Sequence, residues 1–317
     1  MLQLVDVEMP RPDEGRVLVK VYASSVNPAD LHSIDGMSRL FGSGVRRPKD
    51  PRMGGDFAGR VEGVGPNVTK FKSGDEVFGT CAGGYAEYAV AREIRLALKP
   101  ANVSFEEAAS VPIAGITALQ GLRKGGIKAG QKVLVNGASG GVGTFAVQIA
   151  KSYGAEVTGV CSPRNLDQAH AIGADHVIDY TKEDFTKTGE RYDLILDMAG
   201  NHSAWDYKRT LNPGGACMIV GVSKNVLRGL VKFFVTGALA SISGGKKIGF
   251  MGIANIDGND LAYLAGLLEA KKVVPVIDRR FPLSETAAAM SYLAEGHARG
   301  KIVIAVEGAR PEPRTAA

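Results

Sequence analysis

The chain has 317 residues with 45% apolar and 22% charged side chains, and 38 Lys or Arg against 33 Asp or Glu give it a formal charge of +5. That size and balance suit two globular domains with separate cores and exclude a disordered or fibrous chain. The basic residues are dispersed, with no basic block or aromatic-rich repeat, so a nucleic-acid module is not expected and the positive charge is assigned to solubility.

In chain order, residues 17–22, 60–64, 76–78 and 85–90 read as strands separated by Gly, Pro and Asn turn signals, which predicts a small β-barrel. Between the first two lies 25–51, holding Asn27, Pro28, Asp30, His32, Gly36, Gly42, Gly44 and Pro48. It is a long segment with little sheet pattern, of the kind that carries function. Ser104 with Glu107 three residues later forms a capping box that opens a helix through Ala109, and 116–122 predicts a second helix.

Residues 133–161 then read strand, glycine turn, helix, strand. Val133, Leu134 and Val135 suit a buried parallel strand, and Val142, Phe145, Ala146, Ile149, Ala150 and Tyr153 recur at helical spacing up to Gly154. Between them Ala138, Ser139, Gly140, Gly141, Val142 and Gly143 make an A-x-G-x-x-G pattern with Ala138 in the first glycine place. Glycines there let a diphosphate approach the backbone amides and the positive helix end. The alternative is a glycine turn without a ligand; the complete strand–turn–helix–strand unit favours a dinucleotide site.

An NAD-preferring site places a carboxylate at the end of the second strand. Here Cys161 and Ser162 stand in that place, followed by Pro163, Arg164 and Asn165, and the next carboxylate is Asp167. Ser162 and Arg164 offer a hydroxyl and a guanidinium to a 2′-phosphate, so the expected cofactor is NADPH. Arg164 is otherwise an ordinary solvated arginine.

Strands at 176–178, 194–197, 216–220 and 248–251 alternate with helices, which predicts a doubly wound parallel sheet. After a helix near 260–270 come a strand at 273–277, a helix at 284–295 and a last strand at 301–306. The tail 308–317 is expected to be disordered. The longest apolar segment, 226–242, holds Arg228 and Lys232 and is interrupted by Gly229 and Gly237. It reads as an amphipathic helix by the active site rather than a membrane span, with peripheral membrane contact as the alternative. Cys81, Cys161 and Cys217 are far apart and lack C-x-x-C pairing, so neither a disulfide framework nor a structural zinc lobe is indicated. No secretory signal pattern opens the chain, and a cytoplasmic location is expected.

Several strings together resemble the medium-chain dehydrogenase/reductases, in their zinc-independent quinone oxidoreductase branch. They are VNPADLH at 26–32, GGDFAGRVEGVG at 54–65, GDEVFG at 74–79, GGYAEY at 83–88, GITALQGL at 115–122, GASGGVG at 137–143, GADHVIDY at 173–180 and GHARGKIVI at 296–304. The resemblance implies an α/β fold: a GroES-like β-barrel catalytic domain, 1–106 and 272–317, with an inserted Rossmann domain, 107–271. It also implies that Ser139, Gly140, Gly141 and Val142 hold the diphosphate, and Ser162 and Arg164 the 2′-phosphate. Tyr180 would pack beside the adenine and Thr117 face the nicotinamide. Val220 in the loop after 219, the Phe250 and Met251 backbone and Lys301 would close over it. Tyr180 and Lys301 could instead be a strand-end residue and a solvated lysine.

Where zinc-dependent relatives use a cysteine and the histidine of a G-H-E string, this chain has Asn27 and Gly55, with Asp56 following, so no catalytic zinc is expected. Many quinone reductases carry a tyrosine where this chain has His32 or Ser38, so no inherited catalytic tyrosine is named. The chain opens at MLQLVDVEMP, from which the first barrel strand of the relatives is expected to be absent. The implied reaction is hydride transfer from NADPH to a quinone, with an enone as the alternative acceptor and a non-catalytic dinucleotide-binding role as the third reading. Asn27 is a candidate hydrogen-bond donor to the developing oxyanion, and His32 or water the proton source. A homodimer paired through the strand at 248–251 is expected.

Overall fold

The computed structural model describes residues 2–34, 52–220 and 245–306. In order they form β1 (Arg16–Val26), α1 (Pro28–Ile34), β2 (Asp56–Val64), β3 (Glu76–Thr80), β4 (Tyr88–Arg92), β5 (Leu96–Leu98), α2 (Phe105–Ala109) and α3 (Pro112–Lys124). Then follow β6 (Lys132–Asn136), α4 (Gly141–Ser152), β7 (Glu156–Cys161), α5 (Leu166–Ala171), β8 (His176–Asp179), β9 (Tyr192–Asp197), α6 (Ala204–Thr210), β10 (Leu211–Ile219) and β11 (Lys247–Phe250). The chain continues through α7 (Gly258–Glu269), β12 (Ile277–Pro282), α8 (Thr286–Ala294) and β13 (Lys301–Ala305). No helix among the described residues is long and apolar enough to cross a membrane.

Two compact units result. One holds the residues up to Ala114, Ile256–Lys271 and those from Pro275 on; the other holds Gly115–Asn255 and Lys272–Val274. In the first, the described strands form a seven-stranded sheet ordered β12-β13-β1-β2-β3-β5, with β4 paired to β1. Val17, Val19 and Val21 of β1 pack with Phe57, Val61, Val77, Ala89 and Leu96 as its core. The returning strand β13 runs antiparallel to β1, with Val26 opposite Ile302 and Ala23 opposite Ala305. That register sets Lys301 beside Asn27, a meeting between opposite ends of the chain.

The second unit is a six-stranded sheet in the order β11-β10-β9-β6-β7-β8, every pair parallel. Chain order runs outward from β6 through β7 and β8, then restarts on its other side at β9. The crevice at the carboxyl ends of β6 and β9 is therefore the switch point where such sheets bind ligands. Leu134, Val160, Ile195, Tyr207 and Cys217 belong to a buried cluster of this sheet.

Two expectations meet a different structure, and one strand is additional. The helix near 260–270, assigned by the 107–271 boundary to the Rossmann domain, is α7 and packs in the barrel unit: Asn102 Nδ2 donates to Leu268 O at 3.2 Å. Amphipathic spacing shows that a helix buries one face, not which surface it meets. The strand expected at 273–277 begins only at Ile277. Before it, Gln148 on α4 takes both backbone groups of Val274, its Oε1 accepting from the amide at 2.8 Å and its Nε2 donating to the carbonyl at 3.0 Å. Pro275 has no N–H to offer a ladder. Finally, β5 was not expected at all. It is a three-residue strand, too short to show alternation.

The capping box at Ser104 is present, with Glu107 N donating to Ser104 Oγ at 3.2 Å and Ser104 N to Glu107 Oε2 at 2.8 Å. The expectations for 226–242, for Ser38 and for the tail 308–317 lie outside the described residues.

Candidate functional site

The glycine turn begins where β6 ends. Gly137 adopts φ 90°, a left-handed value that a side chain resists, and its amide and that of Ala138 both donate to Val160 O on β7 at 3.0 Å. The loop is thereby pinned to the neighbouring strand. Gly143 lies so close to the turn that a Cβ would stand 2.0 Å from Gly137 O. Ala138 is tolerated in the first glycine place because β7 carries Gly159 opposite it, where an added Cβ would already meet the Ala138 methyl at 3.0 Å. Gly140 starts α4 without a capping side chain, leaving the first helical amides to a ligand.

Ser139 is buried, and its hydroxyl accepts from Asn165 Nδ2 at 2.9 Å; the same amide donates to Ser162 Oγ at 3.0 Å. Asn165 so ties the glycine loop to the end of β7. Its own Oδ1 is buried without a hydrogen-bond partner among the described residues, an acceptor of the kind a ribose hydroxyl satisfies. Sequence reasoning passed over Asn165. It sits in the S-P-R-N run, but only the 3₁₀ turn Pro163–Asn165 folds its side chain back onto the loop. Arg164, in the same turn, is exposed. Burial and the Asp179 charge push the Cys161 thiol up to about 11, so it is a neutral wall and not a nucleophile. Tyr180 is 60% exposed at the end of β8, its amide on Cys161 O at 3.2 Å.

Across the switch point, Asn136 Nδ2 donates to Asp197 Oδ1 at 3.1 Å, and the amides of Ala199 and Gly200 reach the same oxygen at 2.7 and 2.8 Å. The Tyr207 hydroxyl donates to Asp197 Oδ2. Burial first, and then the Asp197 charge, raise the tyrosine pKa, so it stays a donor. These bonds gather the ends of β6 and β9 around one buried carboxylate, and sequence reading gave neither Asn136 nor Asp197 a role. The expected closing residues follow on the next strands: Val220 N donates to Asp197 O and Met251 N to Ile219 O, both at 2.8 Å. Lys124 Nζ donates to Met251 O at 2.9 Å and to Phe250 O at 3.3 Å. Thr117 lies half-buried on α3 of this unit.

In the barrel unit a second polar cluster is closed upon itself. Asp56 is fully buried, with Oδ2 accepting from Ser25 Oγ at 2.9 Å and Asn27 Nδ2 at 2.8 Å, and Oδ1 from Ile113 N at 2.9 Å. Lys301, 3% exposed, donates to Asn27 Oδ1 at 2.6 Å and to Val26 O at 3.3 Å, and its ammonium lies 3.5 Å from Asp56. Asp30 accepts from Asn27 N and from the Tyr85 hydroxyl, each at 2.8 Å. Burial pushes the Asp30 carboxyl up although those bonds oppose it, and burial pushes Lys301 down against the attraction of Asp56 and Asp30.

Two sequence expectations change here. Asn27 is 3% exposed and spends its amide hydrogens on Asp56 and, at 3.4 Å, on Ser25 O, so it braces the cluster instead of pointing a donor outward. Lys301 is not a solvated lysine; within the barrel unit it belongs to the Asn27 cluster. His32 falls in α1, and its side chain lies outside the described residues. The donor set does not suit a divalent cation. The amide oxygen of Asn27 is taken by an ammonium, Asp56 is already bonded at both oxygens, and no group of three or more His, Cys, Asp or Glu among the described residues is arranged to hold a metal.

Residues 13–101 match the alcohol dehydrogenase GroES-like domain, and residues 172–304 match the zinc-binding dehydrogenase family. The chain is 35% identical to quinone-oxidoreductase QR1, chloroplastic, of Triphysaria versicolor, covering 96% of this chain and 93% of that one. To the NADPH-dependent alkenal/one oxidoreductase, chloroplastic, of Arabidopsis thaliana it is 34% identical, over 94% of this chain and 74% of the relative. The solved quinone oxidoreductase from Coxiella burnetii superposes with a TM-score of 0.81 at 30% identity, covering 96% and 95% of the two chains.

Proposed function

The chain belongs to the medium-chain dehydrogenase/reductase superfamily, in its quinone oxidoreductase branch, and from that premise we propose that it transfers a hydride from NADPH to a quinone without zinc. The superfamily implies a nicotinamide dinucleotide, which when bound supplies the hydride. The observation that supports the zinc-independent part is Lys301 Nζ on Asn27 Oδ1 at 2.6 Å, which occupies the side-chain oxygen standing where the resemblance places a zinc ligand. A carbonyl that no metal polarises is a poor hydride acceptor, whereas a quinone is electrophilic through its own conjugation.

The chain's residues then bind and orient. The α4 amides and the Ser139 hydroxyl would hold the diphosphate, with Asn165 accepting from a ribose hydroxyl. Ser162 and Arg164 would take the 2′-phosphate, which the absence of a carboxylate at the end of β7 supports. Val220, Phe250 and Met251 would bound the nicotinamide end, with Thr117 toward it, and Tyr180 would lie along the adenine. With the Asn27 amide occupied inside the barrel, the hydroquinone would gain one hydrogen as the hydride the nicotinamide supplies and the other as a single proton from solvent water. A cytoplasmic site of action belongs to this reading and is checked by fractionation of the source cells.

The second reading, reduction of an alkenal or enone at its β-carbon, is favoured by the 34% identity to the alkenal/one oxidoreductase. Steady-state rates with a naphthoquinone and a 2-alkenal, each with NADPH and NADH, decide between them, with elemental analysis on the same sample. We expect the naphthoquinone to have the higher kcat/KM, NADPH to be preferred, and activity to survive chelation. One zinc per active chain, or turnover of the alkenal alone, overturns the corresponding part. A chain that binds NADPH but turns over neither acceptor is a binding protein.

A further inference from the structure

On the dinucleotide-binding unit, a cleft of about 470 Å³ is lined by Arg191, Trp205, Lys208, Arg209 and Lys246. Three separate elements deliver these cations: Arg191 immediately precedes β9, Lys208 and Arg209 end α6, and Lys246 immediately precedes β11. All strands of this sheet are parallel, so the cleft opens at their amino ends, while the glycine turn follows the carboxyl end of β6. A six-residue strand separates the two edges by roughly 20 Å. The cleft is therefore not part of the dinucleotide site.

Helix-end electrostatics account for part of the cluster. Lys208 and Arg209 sit in the last turn of α6, and Lys246 Nζ donates to Lys208 O at 2.9 Å. They do not account for Arg191, nor for an indole left 47% exposed in the same cleft with Lys208 Nζ 5.0 Å from its centroid. Asp206, next to Trp205 in the chain, is engaged by Arg209. Burial, then repulsion from Arg191 and Lys208, lowers the Lys246 pKa, as expected where cations crowd one another.

We propose that this cleft is a second nucleotide site, separate from the dinucleotide loop, in which Arg191 and Lys246 hold the phosphates of a soluble nucleoside polyphosphate and the base lies against Trp205. Guanidinium and ammonium groups converging from different elements fit several phosphate oxygens at once, and an exposed indole is a stacking surface for a base. The two features belong together only if one ligand carries both a polyanion and a flat ring.

Trp205 is the chain's single tryptophan, so its fluorescence reports on this cleft alone. The full chain, held at saturating NADP⁺, is titrated with ATP while the indole emission is followed. We expect a saturable change that inorganic tripolyphosphate competes away. In Arg191→Glu/Lys246→Glu the ATP affinity should fall by at least roughly tenfold, whereas Lys70→Glu/Lys72→Glu, the same charge change on exposed residues of the barrel unit, should leave it unaltered. Circular dichroism and Tm confirm folding, and Arg191→Ala, which should weaken ATP in the same direction, serves if the double variant misfolds. No saturable response to ATP, an equal loss in both double variants, or an ATP affinity that falls in proportion as the NADP⁺ concentration is raised overturns the site. So does a response to phosphatidylserine vesicles without one to ATP.

Discussion

Asp184 lies in the turn after β8, where its Oδ1 accepts from the Thr186 amide at 3.0 Å and hydroxyl at 2.7 Å, and Lys187 pairs with Oδ2 at 3.0 Å. Desolvation pulls its pKa up, but the two Thr186 bonds and Lys187 outweigh it and hold the carboxyl at about 2. Its folded value is thus below the unfolded one, near 3.9. The stabilisation is complete above that value and is lost as pH falls through about 2. Asp184→Ala should lower stability by about 1 kcal/mol at pH 7, discounted for partial exposure. The Tm gap to the parent should close between about pH 4 and pH 2; a gap that stays constant down to pH 2 contradicts the assignment. At the dinucleotide loop, Arg164→Ala should remove most of an NADPH-over-NADH preference of roughly tenfold or more, measured as the ratio of the two Kd values. A variant that discriminates as well as the parent rules Arg164 out. Arg164 and Ser162 are candidates the sequence itself offers, because charge and hydroxyl chemistry show in it. Asn165 is not, since its importance lies in where a 3₁₀ turn aims an amide.

At the scale of elements, the strand–turn–helix unit from β6 to α4 was legible almost to the residue, because glycines are demanded wherever two backbones must touch. Gly143→Ala would place a Cβ 2.0 Å from Gly137 O and 2.9 Å from the Ala138 backbone, atoms that cannot swing aside. It should cost about 1–3 kcal/mol of stability, read by denaturant unfolding, and weaken dinucleotide binding as the turn is forced open. Unchanged stability and binding would show that the turn yields. The strand that sequence reading set at 273–277 shows the opposite limit. A run of Val residues is apolar in either setting, and Gln148, distant in the chain, supplies the bonds that keep it out of the sheet. The buried cluster of Asn27, Asp56 and Lys301 was half legible. Asn27 stood out in the sequence, but the ammonium that meets its side chain arrives on the last strand.

For the whole molecule, the parallel sheet ends at β11, whose outer side is unpaired by any described strand. An edge of this kind invites pairing with its own copy. Sedimentation equilibrium at micromolar concentration should give twice the chain mass of 33.3 kDa, and a single species at the chain mass would refute the dimer. The interruption of the barrel by a dinucleotide domain was legible from the late return to strands. The seam was not: α7 was counted with the Rossmann domain, yet it packs against the barrel strands, where an added Cβ on its Gly258 would stand 3.1 Å from Leu96 O.

The sequence by itself determined the fold class, the glycine turn and the superfamily, since periodicity, backbone-contact glycines and family strings are local properties written into short stretches. Only the tertiary structure decided that Lys301 neutralises the barrel interior beside Asn27 and Asp56, that Asn165 fastens the loop, and that Asn136 meets Asp197 across the switch point. Hydrogen bonds and ion pairs act over about 3 Å. Which residues come within that distance is settled by strand register and sheet order, and these depend on the packing of the entire chain.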